Sequence, residues 1–320
     1  MRIWRTLDDV PADLGRTVVT IGNFDGVHLG HQHVIERARE AADELGADAV
    51  VAVTFDPHPI AVLRPEHAPP TLTTIDTRIQ LLDEFGVDDV LVVPFTHAIA
   101  DWSPERFIED ILVDALHARA VVVGANFRFG SRASGDISTL RDEGFRHGFE
   151  TVGIALDGGS QVWSSTYIRN CLSAGDVAGA AEVLGHPFTV RGEVVEGERR
   201  GRGLGYPTAN VPTHGMQAVP ADGVYAGWLR RLDGPGAAAE ALPAAISVGT
   251  NPTFEGARER RVESYVLDRD DLELYGVEVQ VSFVARLRGM VKFDSIEELV
   301  ETMRDDVAWA HVVLGIPEPR

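Results

Sequence analysis

The 320-residue chain holds a single cysteine, Cys171, in a segment whose pattern reads as helix. One thiol excludes an intramolecular disulfide and a thiolate zinc cluster, and a reducing, cytoplasmic compartment is the expectation. Positive charge is scarce as well: 29 Lys and Arg stand against 49 Asp and Glu, for a formal net charge of −20. General affinity for nucleic acid or an anionic membrane surface needs the opposite balance, so neither is expected as a partner. Any polyanion must then be met in a local pocket. Long apolar runs are missing too. Met1 to Arg5 leads into Asp8-Asp9 with no apolar signal core, and no stretch is long enough to span a bilayer.

What is present is a globular composition, 44% hydrophobic and 24% charged, with length for about two domains. The first half alternates two periods. Thr17 to Ile21 is a β-branched run, followed by a Gly- and His-rich loop and then Val34, Ile35, Ala38, Ala41, Ala42 and Leu45 at helical spacing. Further apolar runs at Ala49 to Phe55, Val90 to Val93 and Ala120 to Val123 alternate with amphipathic segments, among them Arg78 to Phe85 and a helix opened by Ser103-Pro104. Strands alternating with helices predict a doubly wound parallel sheet, with a ligand crevice at the carboxyl ends of its strands. From His186-Pro187 onward the runs are short and broken by Gly, Pro and Asn, which predicts an antiparallel barrel or sandwich. Ser295 and Glu298 form a capping box for a last helix, with Ile296, Leu299, Val300, Met303, Val307 and Ala310 on its apolar face. The stretch Leu232 to Pro243 reads as a solvated connection.

The first chemical signal stands directly after the first run: Gly22-Asn23-Phe24-Asp25-Gly26-Val27-His28-Leu29-Gly30-His31. Gly22 and Gly26 let backbone N–H groups approach a ligand, and His28 and His31, three apart as a helix begins, share one face. A helix N-terminus with two imidazoles is suited to phosphate. The plain alternatives are a capping role for the histidines or an adventitious metal site. Trp163-Ser164-Ser165-Thr166-Tyr167-Ile168-Arg169 places hydroxyls at another helix start with Arg169 one turn on, alone no more than an N-cap and a surface arginine.

The whole phrase resembles the HxGH signature of nucleotidyltransferases and, in its GxFDGxHxGH form, the FMN adenylyltransferase module of the bacterial bifunctional riboflavin kinase/FAD synthetase family. The resemblance implies that His28 and His31 grip nucleotide phosphates, with Gly22, Phe24, Asp25 and Gly26 lining the same site. It also makes Ser164, Ser165, Thr166 and Arg169 ATP ligands, with Arg169 acting on the phosphates. Gly124-Ala125-Asn126-Phe127-Arg128-Phe129-Gly130 matches the family's GxNFxFG loop. There Asn126 meets nucleotide or flavin edges, and either Phe127 or Phe129 is free to stack on a flat ring. Phe55-Asp56-Pro57-His58-Pro59 also matches, with a flavin-side role and a proline-bracketed turn equally open.

The second signal concentrates Gly and Arg from Gly197 to Gly205 and ends in Tyr206-Pro207-Thr208-Ala209-Asn210. It lacks the ending of a Walker A loop. Thr208 and Asn210 are two apart, so in an extended segment their oxygens face one side, where Mg²⁺ and phosphate would be held together. This resembles the riboflavin kinase PTAN motif, and Ser247 to Phe254 and Val262 to Tyr265 resemble that family's VGxNPTF and VE(S/T) runs. The resemblance makes Glu263 the base for the attacking hydroxyl, and it makes Gly201, Gly205 and Asn251 nucleotide ligands. Arg288 to Phe293 resembles its R-x-x-x-K-F stretch, either a flap over the substrates or a basic turn.

The fold expected is therefore α/β: a Rossmann-like HxGH nucleotidyltransferase domain, residues 1–186, then an antiparallel β-barrel riboflavin kinase domain with a terminal helix, residues 187–320. The activity expected is bifunctional synthesis of FAD from riboflavin through FMN, consuming two ATP and using Mg²⁺, held mainly by substrate oxygens at the first site and by Thr208 and Asn210 at the second. Small molecules are the expected partners, and a homo-oligomer stays open. Two competing readings are an HxGH cytidylyltransferase fused to an unrelated barrel and a flavin-binding regulator without catalysis.

Overall fold

The computed structural model describes residues 1–155, 163–196, 206–213, 216–233, 240–252 and 258–317, leaving aside side chains at 250–252 and 258–259. The chain divides into two compact units, Met1–Pro69 with Ile75–Ser164, and Pro70–Thr74 with Ser165–Arg320.

The first unit is built on a parallel sheet of β1 (Arg2–Trp4), β2 (Thr17–Ile21), β3 (Ala49–Asp56), β4 (Asp89–Pro94), β5 (Ala118–Gly124) and β6 (Glu150–Ile154). Their order is β1-β4-β3-β2-β5-β6. The four expected strands are the central ones. The two added strands are the short edges, whose half-exposed residues carry no continuous apolar run. All five residues of β2 are buried, as both faces of such a sheet are covered. Val18, Val50 and Val122 face the helix Leu29–Leu45 through Val34, Ala38 and Ala41, while Val19, Val51 and Val121 face Phe107, Ile108 and Ile111. The helix begun at Ser103, whose Oγ accepts the Arg106 N–H at 3.2 Å, widens into a π-helix over Ile108–Ala115. Its Leu116 N–H reaches back five residues to the Ile111 carbonyl, and Ile108, Ile111 and Leu112 are all buried. Strand order reverses direction between β2 and β5. The loops leaving their carboxyl ends therefore part and open a crevice.

The second unit is an antiparallel sheet of β7 (Phe188–Glu193), β8 (Thr208–Pro212), β9 (Gly223–Arg231), β10 (Leu242–Pro252), β11 (Arg258–Val266) and β12 (Glu278–Arg288). The order is β7-β12-β9-β10-β11-β8. It curls until its edges meet: Val195, just past β7, donates its N–H to the Asn210 carbonyl of β8 at 2.9 Å. Register shifts along β12 help it bend. The terminal helix Ile296–Leu314 is capped by Ser295 Oγ, which accepts the Glu298 N–H at 3.1 Å. Val307, Ala310 and Leu314 dock on Val224, Ala226 and Leu287. Ile296, expected on the docking face, is exposed, because spacing marks a helix face but not where along it the sheet begins. The helices Ser165–Ala174 and Val177–Leu184 also belong to this unit. Ala221 donates to the Leu172 carbonyl at 2.8 Å and Arg286 to that of Ala174 at 3.2 Å.

Candidate functional site

In the first unit the turn 22–28 joins β2 to the helix Leu29–Leu45. Phe24 (φ 48) and Val27 (φ 39) are held there in the left-handed region, which costs of order 1 kcal/mol each and is maintained by burying both side chains. The Phe24 ring folds back over Gly22, where a Cβ would lie 3.3 Å from it, and meets the His31 ring edge-on at 5.2 Å. His28 is the N-cap, but its side chain makes no capping hydrogen bond. The His28 and His31 rings stack at 3.7 Å instead. Glycine between them leaves room for this packing: a Cβ at residue 30 would lie 3.2 Å from the His28 ring, which would have to give by a few tenths of an ångström. Two imidazoles thus stand together at a helix N-terminus, where orphan N–H groups favour an anion.

Burial, reinforced by His28 and by the Arg78 guanidinium, holds the His31 pKa well below the usual 6.5. Its Nδ1 is buried without a hydrogen-bond partner among the described residues. At neutral pH His31 is a neutral donor-acceptor. The unfolded chain binds this proton more readily than the folded one, so the contribution to stability is complete above pH 6.5 and is lost as pH falls toward the lowered value. Each pH unit in that window removes up to about 1.4 kcal/mol. The ligand-free protein is expected to lose melting temperature between pH 7.5 and 5.5 more steeply than His31→Gln does, as calorimetry would record; parallel curves would contradict the assignment.

Sequence reasoning missed Arg78. The residue is 3% exposed, and its guanidinium lies 3.8 Å from the buried Asp25 carboxylate and donates to Thr54 Oγ1 at 3.3 Å and to the Phe55 carbonyl at 3.2 Å. A signal existed, since residue 78 falls in phase with Ile75, Ile79 and Leu82 on the apolar side of the helix Ile75–Glu84.

Beyond β5, Asn126 is exposed. Phe129 is core, tilted against Phe107 at 5.5 Å, while the less buried Phe127 lies parallel to it at 5.4 Å. Phe127 is thus the ring with a surface to offer. His58 caps the short helix Pro59–Leu63 by accepting the Ile60 N–H at 3.2 Å, which favours the turn reading of that segment. In the second unit Ser165 opens its helix, Thr166 is exposed, and Arg169 Nε donates to the Pro70 carbonyl at 2.6 Å.

The β8–β11 register sets Glu263 opposite Asn210 and Tyr265 opposite Thr208. Cross-strand partners project to the same face about 5 Å apart. Val262, Ser264 and Val266 point into the barrel, so Glu263, Asn210 and Thr208 share the opposite face. Tyr206 meets Tyr265 edge-on at 5.1 Å beside them. Asn210 Nδ2 donates to the Thr208 carbonyl at 3.2 Å, which fixes the amide and leaves Oδ1 as its acceptor. A pocket at this strand edge is lined from both sides of the sheet, by Thr208 and buried Asn210 together with Ala209, Ser264, Val266 and Arg269, and Glu263 does not line it. Arg288 forms a two-pronged pair with Asp306 (2.8 and 2.7 Å), so its charge fastens the terminal helix. Gly201 and Gly205 lie outside the described residues, as does the side chain of Asn251. No cluster of three His, Cys, Asp or Glu able to hold a metal occurs among the described residues.

The FAD synthetase family model matches residues 10–166 and the riboflavin kinase family model residues 184–314. The bifunctional riboflavin kinase/FMN adenylyltransferase of Escherichia coli (strain K12) is 36% identical over 304 residues, 94% of either chain. That of Bacillus subtilis (strain 168) is 33% identical over 300 residues, 93% of this chain and 92% of the relative. A crystal structure named as a macrolide-efflux protein from Streptococcus pneumoniae superposes with a TM-score of 0.84 at 30% identity, covering 97% of this chain and 98% of its own. In the present chain no helix among the described residues is long and apolar enough to cross a membrane.

Proposed function

This chain belongs to the bifunctional riboflavin kinase/FMN adenylyltransferase family, and from that premise we propose where each of its two transfers takes place. The enzyme converts riboflavin and ATP to FMN and ADP, then FMN and a second ATP to FAD and diphosphate. The observation that carries the assignment of the kinase step is the register of β8 against β11, which gathers Thr208, Asn210 and Glu263 on one face. Glu263 accepts the proton of the ribityl 5′-hydroxyl as that oxygen attacks the γ-phosphorus and ADP departs.

Adenylyl transfer is assigned to the turn 22–28 and the two stacked histidines. The FMN phosphate oxygen attacks the α-phosphorus of ATP, diphosphate leaves, and the charge gathering on the phosphate oxygens meets N–H donors of His28, His31 and the helix start. Asn126 and Phe127 are proposed for the nucleotide or flavin edge and face. Ser164, Ser165, Thr166 and Arg169 are proposed as ATP ligands on their motif alone. By motif, the adenylyltransferase module is residues 1–186 and the kinase module residues 187–320.

Mg²⁺ fits the kinase site as a shared ligand of protein and substrate. Thr208 and Asn210 offer neutral oxygens and no carboxylate cage, which suits a hard cation that keeps phosphates and water in its shell. When bound it neutralises phosphate charge, and the residues that would hold it are Thr208 and Asn210. A cytoplasmic location and freedom from nucleic acid and membrane are proposed from the acidic balance and the single thiol. Purified protein given riboflavin and Mg-ATP is expected to accumulate FMN and then FAD by chromatography, with both halted by EDTA. Flavin bound without turnover would overturn the reading.

A further inference from the structure

Arg78 belongs to none of the motifs, yet its guanidinium is buried, an unfavourable place for a charge unless partners meet it on several sides. Those partners come from the turn 22–28, which holds Asp25, and from the last residues of β3, which include Thr54 and Phe55. Thr54 Oγ1, which accepts from Arg78, donates in turn to the Asn23 carbonyl at 3.2 Å. One cation therefore reaches the turn twice, through the Asp25 carboxylate and through the Thr54 hydroxyl. The turn needs such a tie, because Phe24 and Val27 sit in backbone conformations that it would leave if loosened.

We infer that Arg78 is a positioning residue for adenylyl transfer: anchored on β3, its guanidinium fixes the turn 22–28 through Asp25 and Thr54 and so sets where His28 and His31 stand. The inference rests on the reading of that turn as the phosphate site. Buried beneath the turn, Arg78 acts through it. Its charge also reaches His31, where it adds to burial in keeping the proton off.

The test uses the full chain as Arg78→Met, Arg78→Lys and His31→Asn, with both activities measured and the His31 ring titrated by NMR. Arg78→Met is expected to lower kcat for FAD formation by about 30- to 100-fold, the scale of a small misplacement of reacting groups. Riboflavin phosphorylation should stay within about twofold, reporting on a separate module. The His31 titration should rise in Arg78→Met and stay in place in Arg78→Lys, which should regain most of the activity. Unchanged FAD formation and unchanged titration in Arg78→Met, with activity lost in His31→Asn, would overturn the role of Arg78 alone. So would an Arg78→Lys variant as impaired as Arg78→Met with the His31 titration unmoved, the mark of a merely structural contact. If Arg78→Met loses both activities by misfolding, the lysine variant decides: near-normal titration and activity support the inference, and their loss overturns it. Normal FAD formation by His31→Asn would remove the phosphate-site reading itself.

Discussion

Glu263→Gln is expected to lower FMN formation by about 10³-fold while FMN-to-FAD conversion proceeds within about twofold of the parent. The magnitude is that of losing a positioned base. The amide keeps the size of the carboxylate and one acceptor oxygen, but it puts an NH2 donor in place of the other oxygen and cannot accept the hydroxyl proton, so KM for riboflavin should move far less than kcat. Stability should change little, because Glu263 is only partly buried on the face away from the barrel core. Separate assays starting from riboflavin and from FMN check the result. Loss of both activities would show that the two modules do not work independently, and retention of FMN formation would remove Glu263 from the chemistry.

The double substitution His28→Ala with His31→Ala is expected to act in reverse, lowering FAD formation by at least 10³-fold and sparing riboflavin phosphorylation. Removing one preorganised donor from a charge-stabilising site costs about 10²- to 10³-fold, and the two stacked rings act as one unit, so their single losses should not add. Each alanine also leaves a void, His28 being buried beside Gly30. A control is therefore needed, and His31→Asn supplies it with a polar side chain of similar length. Retention of FAD formation by the double variant would place the phosphates elsewhere.

Much of this was legible in the residues themselves. The β-branched runs of the first half are buried on both faces, so each central strand announced itself, and the glycines and histidines of residues 22–31 were legible once the whole phrase was read between a strand and a helix. The threonine and asparagine of β8 could be placed on one side of a strand from their spacing alone. The short edges β1 and β6 escaped because half-exposed strands carry no continuous apolar signal. The π-helix escaped because its apolar residues match ordinary helical spacing nearly as well.

Local periodicity, turn chemistry and net charge are properties of neighbours along the chain, and from them the sequence by itself determined the succession of the central strands and their helices, the acidic character and the two phosphate-suited segments. Pairings across long separations belong to the tertiary structure. It alone decided that Glu263 lies opposite Asn210, that a glycine lets His28 close on His31, and that an arginine from a distant helix is buried beside Asp25. Strand register and the burial of a charge are settled by packing between segments that the chain order leaves unspecified.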